Sequence, residues 1–561
     1  MLGLDTLDWL VIGAYFAVTT ALGLIAARGV KAGGDYFMGG RRFGKLSMVA
    51  HALGTGTSAE QPVVVAGATY QLGLAGIWYQ WLYLFATPFY WLLAPIYRRL
   101  RYLTMGDFFE RRYGPSMGLA YTLLGLFNFT IGIALMLKGT SLTVEAVSGG
   151  AIPYVAAVFG ITALFVVYSF AGGLVAAITN DLLQGPLIVL MSVLLLPFAM
   201  VAIGGWAAVQ AEVPAAMWSL VAPAEVTGFF VAMIVLNALV GIVVEPHHMA
   251  VCGAARSELA SRTGWTYGNM IKRLLTLAWA LTGVFAAVLY PGLETREHAF
   301  GTLVQDLLPA GLVGLMIACM LAAVISTCDA FMIGAGALYA RNVHPRLARA
   351  PADPAREVRV GRISSLAVVS LGVALALLLP SMIAGLKLLW TTAAAFGIAF
   401  WGAVVWRGAT SVGMAASLAV VLGILAVTGG WGLDWALEWQ IALYLPLGFL
   451  ALVLGSRLGP RPDDTRIAAF YTLLDTPVGR EHELQAAGIA VLDAGGAPDP
   501  AGSESRGIRQ GLLLVDLLAP RRWSFARYRI DLLGFGAAWA LVGSLLLLAL
   551  GIAAWGRGDF G

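Results

Sequence analysis

The sequence contains little charge and few lysines or cysteines, and these shortages exclude several kinds of protein. Only 12% of its 561 residues are charged and 59% are hydrophobic, whereas soluble chains are roughly 45–50% apolar and about 25% charged. So few charges cannot cover such a large body in water. The cysteines Cys252, Cys319 and Cys328 lie in or beside apolar stretches, which excludes a disulfide framework and paired metal ligands. A net charge of +4 without a basic stripe does not indicate nucleic acid.

Long hydrophilic stretches are also scarce. The only one runs from about Ser456 to Arg529, and its many arginines favour a cytoplasmic position. It has too few apolar runs for a kinase or nucleotide-binding domain, and no P-loop pattern occurs anywhere. No nucleophile–base pair lies in the apolar segments, so we do not expect an enzyme. Because the sequence has no nucleotide-binding pattern, any transport by this chain would have to draw its energy from an ion gradient.

Hydrophobic segments long enough to cross a bilayer dominate the chain. A crossing helix needs about 20 mostly apolar residues. We predict an all-α polytopic membrane protein with about fourteen transmembrane helices. Their approximate centres are Ala17, Ala59, Leu84, Ile131, Ala163, Leu190, Ile234, Trp279, Met320, Gly372, Phe396, Ala419, Leu445 and Val542.

The loops between these segments alternate between basic and non-basic, as cytoplasmic loops carry the excess of Lys and Arg. Fourteen spans place every basic cluster on one side and both termini outside. The N-terminus lacks the features of a cleaved signal, so we expect the first span to be retained. The basic clusters predicted to be cytoplasmic are Arg28 to Lys45, Arg98 to Arg112, the group Arg256, Arg262, Lys272 and Arg273, and Arg341 to Arg362.

The second span, MVAHALGTGTSAEQPVVVAGATYQ, is unusually polar. Gly54 and Gly56 lower its helix propensity, and Pro62 cannot donate a helical hydrogen bond. Glu60 and Gln61 stand beside this interruption, where buried carboxylates are rare. A polar, interrupted span indicates a transporter binding site. The alternative is a kinked helix that only packs.

The ninth span, ACMLAAVISTCDAFMIGAGALYARN, holds a second polar cluster. Ser326 and Thr327 put two hydroxyls side by side, and Asp329 follows two residues later. Hard cations prefer oxygen ligands, so hydroxyls with freed backbone carbonyls suit Na⁺. The alternative is that both hydroxyls bond back to their own helix.

Together these clusters resemble the sodium:solute symporter family. Further matching pieces are DYFMGGRRFGKLSM, TMGDFFERRYG and YSFAGGLVAAITNDLLQG. The resemblance implies a core of two inverted five-helix repeats, each with a broken first helix. We therefore divide the chain into an extra N-terminal helix (1–30), the core (36–407), two further helices (408–455), the hydrophilic segment (456–529) and a final helix (530–556).

The resemblance also implies a sodium site. The hydroxyl ligands match Ser326 and Thr327, and the carbonyl ligands match Ala323, Gly54 and Thr57. Asp181 matches an acidic residue near the cytoplasmic ion path, to which we also assign Asp329. Alternatively, the Thr-Asn-Asp sequence at Asp181 is the N-cap of the sixth span.

The solute is less well defined by the sequence. In sugar-carrying members, positions matching Glu60, Gln61 and Gln80 hold the sugar, but Gln80 replaces a glutamate, which argues against a sugar. Lys138 and Lys387 lie within spans, where an ammonium is costly unless paired. Lys138 could meet a carboxylate of the solute or pair with Glu60 or Glu145. Lys387 could also meet such a carboxylate, but we expect its side chain to reach the outer interface instead.

We predict a sodium-coupled symporter that imports a small organic solute by alternating access in a bacterial cytoplasmic membrane, with Na⁺ co-transported and no organic cofactor. One alternative is a proton-coupled carrier with Glu60, Asp181 or Asp329 as the titrating group. Another is a receptor that signals through residues 456–529. The sequence Glu245-Pro246-His247-His248 is expected to lead into a cytoplasmic loop rather than to bind a metal.

Overall fold

The apolar segments form helices throughout the part of the chain that the structure describes. The computed structural model describes residues 3–27, 37–222, 225–348, 354–429, 433, 435–489, 511–518 and 523–559. Within these ranges the only β-pairing consists of two isolated bridges, Phe43 with Ala255 and Ala222 with Val226. The predicted all-α class is confirmed.

Nineteen helices are used in the description below. In chain order they are α1 (Thr6–Ala27), α2 (Lys45–Gly56), α3 (Glu60–Leu72), α4 (Thr87–Leu100), α5 (Met105–Tyr113), α6 (Pro115–Val147), α7 (Tyr154–Ile203), α8 (Gly228–Gly241), α9 (His248–Gly253), α10 (Glu258–Leu289), α11 (Ala299–Leu307), α12 (Leu312–Leu338), α13 (Pro354–Leu378), α14 (Met382–Val405), α15 (Ser411–Gly429), α16 (Leu437–Leu458), α17 (Asp464–Asp475), α18 (Glu481–Ala486) and α19 (Phe525–Gly556). Short helical turns at Gly73–Ile77 and Trp78–Trp81 precede α4.

Most predicted spans correspond to single apolar helices. Nine helical segments in the described ranges are long and apolar enough to cross a membrane, and three shorter apolar ones are Thr6–Leu22, Tyr154–Val166 and Gly228–Val244. The centres Ala59 and Leu84 instead fall at a break between α2 and α3 and in the turn before α4. The count of fourteen therefore stays a prediction.

The first break separates α2 from α3. Thr57 is extended (φ −125°, ψ 102°) and caps α2 through its N–H to the carbonyl of Gly54. The carboxylate of Glu60 lies in the first turn of α3 and accepts from the hydroxyl of Ser58. An acidic group is favoured there because the N-terminus of a helix carries partial positive charge.

The second break separates α8 from α9, at the corresponding place in the second half. A short 3₁₀ turn, Ile242–Val244, follows α8 and ends at Glu245 (φ −57°, ψ 124°). Pro246 explains this backbone, since the residue before a proline is pushed out of the helical region. The expectation that this stretch leads into a loop was wrong, because it interrupts a span and lies in the interior.

Burial separates the inner helices from the outer ones. In the helical segment that contains α12, 89% of the most apolar 18-residue stretch is buried inside the protein. In α19 the corresponding share is only 28%. In α15 and α16 one third of the corresponding stretch is buried, so these two helices, like α19, present most of their surface outwards. The breaks therefore lie beside the most enclosed of the nine candidate spans in the described part of the chain.

The part of the hydrophilic segment around α17 and α18 is docked on the core. Arg99, at the end of α4, binds Glu258 of α10 in bidentate fashion at 2.9 and 3.0 Å and donates to the carbonyl of Leu474 at 2.9 Å. The N–H of Val478 donates to the same glutamate at 3.1 Å. These bonds tie the segment to two helices that flank the breaks.

A second ion pair fixes α18 and makes its docking sensitive to pH. Arg101 binds Glu481 at 3.0 Å. Burial raises the pKa of the Glu481 carboxyl, but Arg101 and backbone N–H groups lower it more, so the pKa lies below its usual value. The folded pKa is depressed, so the pair contributes fully to docking above the ordinary glutamate pKa of about 4.3 and loses this contribution as the pH falls through the lower folded pKa.

We expect amide exchange in residues 476–486 to quicken on acidification, relative to the intrinsic rate at each pH. A partly exposed pair contributes up to about 1 kcal/mol, or roughly fivefold in exchange. Glu481→Gln should show the faster exchange already at pH 7 and little further change on acidification. Equal pH dependence in parent and variant would contradict this role. The matched control is Glu483→Gln, which breaks only the partly exposed pair with Arg480 inside the segment.

Candidate sodium and solute sites

The first cluster joins the end of α2 to the middle of α12. The hydroxyl of Thr327 lies 3.2 Å from the carbonyl of Gly54 and 3.1 Å from the carbonyl of Ala323. Three oxygens from two helices thus meet at one point, and all three residues are buried. A hydroxyl and two carbonyls are ligands that a hard cation accepts.

Asp181 joins this cluster from α7. The hydroxyl of Ser326 donates to Asp181 Oδ1 at 2.5 Å, and His51 of α2 approaches Oδ2 at 2.6 Å. Asp181 lies inside α7 and is not the N-cap of a span, so that alternative was wrong. The alternative in which both hydroxyls bond back to their own helix is wrong for Ser326, whose hydrogen goes to α7, whereas Thr327 does lie within bonding distance of the Ala323 carbonyl one turn earlier.

Gly54 has to be glycine for steric reasons. A Cβ there would lie 2.6 Å from the Ser326 hydroxyl and 2.7 Å from Asp181 Oδ1. Real Cβ atoms do not approach other atoms so closely. The absence of a side chain thus permits three helices to meet at the cluster.

The remaining residues assigned to ion binding are nearby in the chain but differ in contacts. Thr57 is fully buried at the break, and its hydroxyl finds no hydrogen-bond partner among the described residues. Asp329 is buried in α12 and lies three residues after Ser326, on the same side of the helix.

A cavity of about 870 Å³, counted with the solvent at its mouth, lies between the two breaks. Glu60, Gln61 and Gln80 all line it, together with Thr327 of the ion cluster. The sequence-predicted solute residues of the first break thus share one space. Residues of the second break also line it, which the sequence reasoning missed: Ile242, Glu245, His247 and His248.

Several polar atoms that line this cavity are buried without a bond. Glu60 Oε2, Gln61 Oε1 and Gln80 Oε1 find no hydrogen-bond partner within the described part of the chain, nor does Nδ1 of His247 or His248. An unpaired buried polar atom costs about 1–3 kcal/mol. The cavity is therefore suited to a solute that donates hydrogen bonds.

Lys272 and Arg273 also face this cavity, and their assignment to a loop was wrong. Both lie inside α10, and their exposed fractions are only 6% and 1%. The Lys272 ammonium donates to the carbonyl of Gly56 at the first break. Arg273 donates to the Gln80 carbonyl at 3.2 Å and lies 5.5 Å from the ring centre of Tyr83. Freed carbonyls thus hold these cations at a depth where the sequence predicted neither.

Lys138 lies elsewhere. Its ammonium is 5.3 Å from the ring centre of Tyr154, at the start of α7, and Lys138 does not line the cavity. The structure records no ion pair of Lys138 with Glu60 or Glu145 within 4 Å. Among the described residues, the lysine in contact with the solute cavity is Lys272.

Two broken helices that face each other across a polar cavity, with an oxygen cluster at one break, define a secondary transporter built from inverted repeats. The sequence matches the Sodium:solute symporter family over residues 36–423. The chain belongs to this family. It is a multi-pass protein of the cell membrane that transports a small solute together with Na⁺.

Curated relatives of the chain are sodium symporters. The sodium/pantothenate symporter of Haemophilus influenzae is 25% identical over 76% of this chain and 90% of its own length. The sodium/proline symporter of Salmonella typhimurium is 25% identical over 79% of this chain and 91% of its own. These relatives favour sodium over proton coupling and transport over signalling.

A solved structure confirms the fold. It is described as the substrate-bound outward-open state of a Na⁺-coupled sialic acid symporter, with a TM-score of 0.71 and 17% identity. The alignment covers 82% of this chain and 99% of that one. The predicted core of two inverted repeats with broken first helices is confirmed.

Proposed function

We propose that Na⁺ binds between α2 and α12, held by the hydroxyls of Ser326 and Thr327 and by the carbonyls of Ala323, Gly54 and Thr57. The observation that carries this proposal is the meeting of the Thr327 hydroxyl with the carbonyls of Gly54 and Ala323 at 3.2 and 3.1 Å. Binding there draws the broken helix towards α12. Asp181 and Asp329 then border the route by which the ion leaves.

The ion site and the solute cavity share the first break, which supports coupling between them. Gly54 and Thr57 belong to the ion site, while Glu60 and Gln61 line the cavity a few residues later. Na⁺ that orders this backbone also sets the positions of the solute ligands. Binding of the solute then closes the cavity on the outer side of the membrane, and Na⁺ and the solute are released on the inner side. A membrane potential of about 100 mV that favours inward movement of cations contributes roughly 2.3 kcal/mol for each charge that crosses.

For the solute we propose a small organic acid that also carries hydroxyl, amide or amine donors. Lys272 supplies a positive charge to the cavity, and Glu60, Gln61 and Gln80 supply unpaired acceptors. Leu135, Met136, Leu386 and Trp390 offer an apolar wall for the carbon skeleton. Pantothenate and proline, named for relatives of this chain, both combine a carboxylate with such donors.

For the remaining organisation we propose an inner bacterial membrane with both termini outside. The division into 1–30, 36–407, 408–455, 456–529 and 530–556 belongs to the same proposal. The docking of α17 and α18 on Arg99 and Arg101 supports a position of that segment on the arginine-rich side.

The sodium site is tested with purified protein by titrating NaCl against choline chloride at constant ionic strength and following tryptophan fluorescence or Tm. We expect a saturable Na⁺ response in the parent and its loss in Ser326→Ala/Thr327→Ala, because both hydroxyl ligands are removed. A Na⁺ response that survives in this variant would place the ion elsewhere.

The matched control removes two hydroxyls that are also buried but belong to no proposed site. Ser364 and Ser365 of α13 donate to the carbonyl of Gly361 in their own helix at 3.0 and 2.8 Å. Ser364→Ala/Ser365→Ala is expected to keep the parental Na⁺ response. If it also loses the response, the effect reflects general loss of packing rather than loss of ligands.

A further inference from the structure

His51 forms a buried link between the broken helix and Asp181. It lies on α2, one turn before Gly54, and its Nδ1 is 2.6 Å from Asp181 Oδ2. Each of the two side chains is only 1% exposed. We assign Nδ1 as the donor of this contact, since an ionised carboxylate can only accept. The Thr55 hydroxyl lies 3.3 Å from the same nitrogen.

The second oxygen of Asp181 determines the orientation of the Ser326 hydroxyl. Ser326 donates its only hydrogen to Oδ1 at 2.5 Å. A serine in a helix would otherwise donate to a carbonyl of the preceding turn. With the hydrogen directed at α7, the hydroxyl turns its lone pairs away from Asp181, in the orientation that a cation ligand needs.

The three side chains therefore form one chain of bonds across three helices: His51 on α2, Asp181 on α7 and Ser326 on α12. Asp181 has two oxygens, and each serves one partner. If His51 were removed, the carboxylate would be free to rotate away from the Oδ1 contact. Groups that orient metal ligands in this way affect affinity strongly, typically by about 10- to 100-fold.

We propose that His51 is a positioning residue for sodium: through Asp181 it holds the Ser326 hydroxyl in the orientation that binds the ion. This inference rests on the proposed sodium site. It assigns to His51 a role in the affinity of the ion and no contact with the solute.

The test compares His51→Leu with His51→Asn in the same NaCl titration of purified protein. Leucine keeps bulk but cannot donate, whereas the asparagine amide places a donor near the position of Nδ1. We expect about 10-fold or weaker Na⁺ affinity in His51→Leu and a value within about threefold of the parent in His51→Asn. The exposed His482→Leu is the matched control and should resemble the parent.

A double-mutant cycle separates positioning from packing. If His51 acts through Ser326, His51→Leu adds little to the loss caused by Ser326→Ala, because the hydroxyl to be oriented is gone. Additive losses would overturn the proposal. Size-exclusion profiles and sodium-free Tm values confirm that each variant is folded before its affinity is interpreted.

The outcomes also distinguish this inference from the sodium site itself. Parental affinity in His51→Leu, combined with loss of response in Ser326→Ala/Thr327→Ala, overturns the role of His51 and leaves the site standing. A Na⁺ response that survives in Ser326→Ala/Thr327→Ala overturns the site. Equal weakening in His51→Leu and His51→Asn means that the imidazole acts by bulk or shape and not as a donor.

Discussion

Replacing Lys272 with methionine is expected to weaken solute binding by about 2–5 kcal/mol, or roughly 30- to 4,000-fold, because the solute carboxylate loses its charged partner in a buried site. Lys272 is the cavity lysine, and its ammonium already sits at the carbonyl of Gly56. Na⁺ affinity should fall less, since the proposed ion ligands remain in place. The measurement is Na⁺-driven uptake into proteoliposomes, with pantothenate and proline as the first solutes.

The control for this experiment is Lys138→Met. Lys138 is also a lysine within a span, but its ammonium lies at Tyr154 and does not border the cavity. We expect near-parental uptake. Loss of uptake in Lys138→Met with normal uptake in Lys272→Met would return the carboxylate contact to Lys138. Lys272→Arg keeps the charge and shows how far geometry matters.

Asp531→Asn is expected to destabilise the protein by about 3–5 kcal/mol, the usual cost of breaking a buried ion pair. Asp531 of α19 lies 2.5 Å from the guanidinium of Arg262 in α10, and both side chains are nearly inaccessible. Arg262 also donates to the Trp91 carbonyl at 2.7 Å, and Asp531 accepts from the N–H of Leu513 at 2.8 Å. Asparagine would leave the arginine charge buried and unbalanced.

Thermal unfolding in detergent measures this effect. For a chain of this length, 3–5 kcal/mol corresponds to a Tm lowered by about 3–4 °C. Asp559→Asn, which breaks the exposed pair with Arg557, is the control and should change stability by no more than about 0.5 kcal/mol. Replacing both partners, as in Arg262→Met/Asp531→Leu, should recover much of the loss. Equal Tm values for Asp531→Asn and the parent would show that the pair contributes nothing.

Local chemistry singled out the two polar spans, whereas the carbonyl ligands of the proposed ion site were implied by the resemblance to the symporter family. Adjacent hydroxyls at Ser326 and Thr327 and the glycines around Thr55 are visible within single spans, and the structure brings Thr327 to Gly54. The partners of Asp181 were not visible, since His51 and Ser326 lie 130 and 145 residues away in the chain. Long-range contacts of this kind depend on helix packing, which spacing alone does not specify.

The cavity was only half predicted for a related reason. Glu60 and Gln61 were identified because a proline and two glycines mark their break. Lys272 and Arg273 were misplaced because basic residues in a moderately polar stretch are typical of a cytoplasmic loop. The break at Glu245 carried a signal that could have been used: a proline at the corresponding position of the second repeat. Lys272 and Arg273 can lie inside the protein because they donate to the backbone carbonyls of Gly56, at the first break, and of Gln80.

The docked segment has a mechanical consequence. Arg99 and Glu258 clamp the ends of α4 and α10, and Leu474 and Val478 are bonded to the same two side chains. These bonds therefore join α4 and α10 at this end, so that the two helices are held together as one unit. If the cavity opens towards this face, we expect α4 and α10 to move together, with the gap between this pair and the other helices. We therefore expect the docked part of the hydrophilic segment to restrict which gap can widen during the transport cycle.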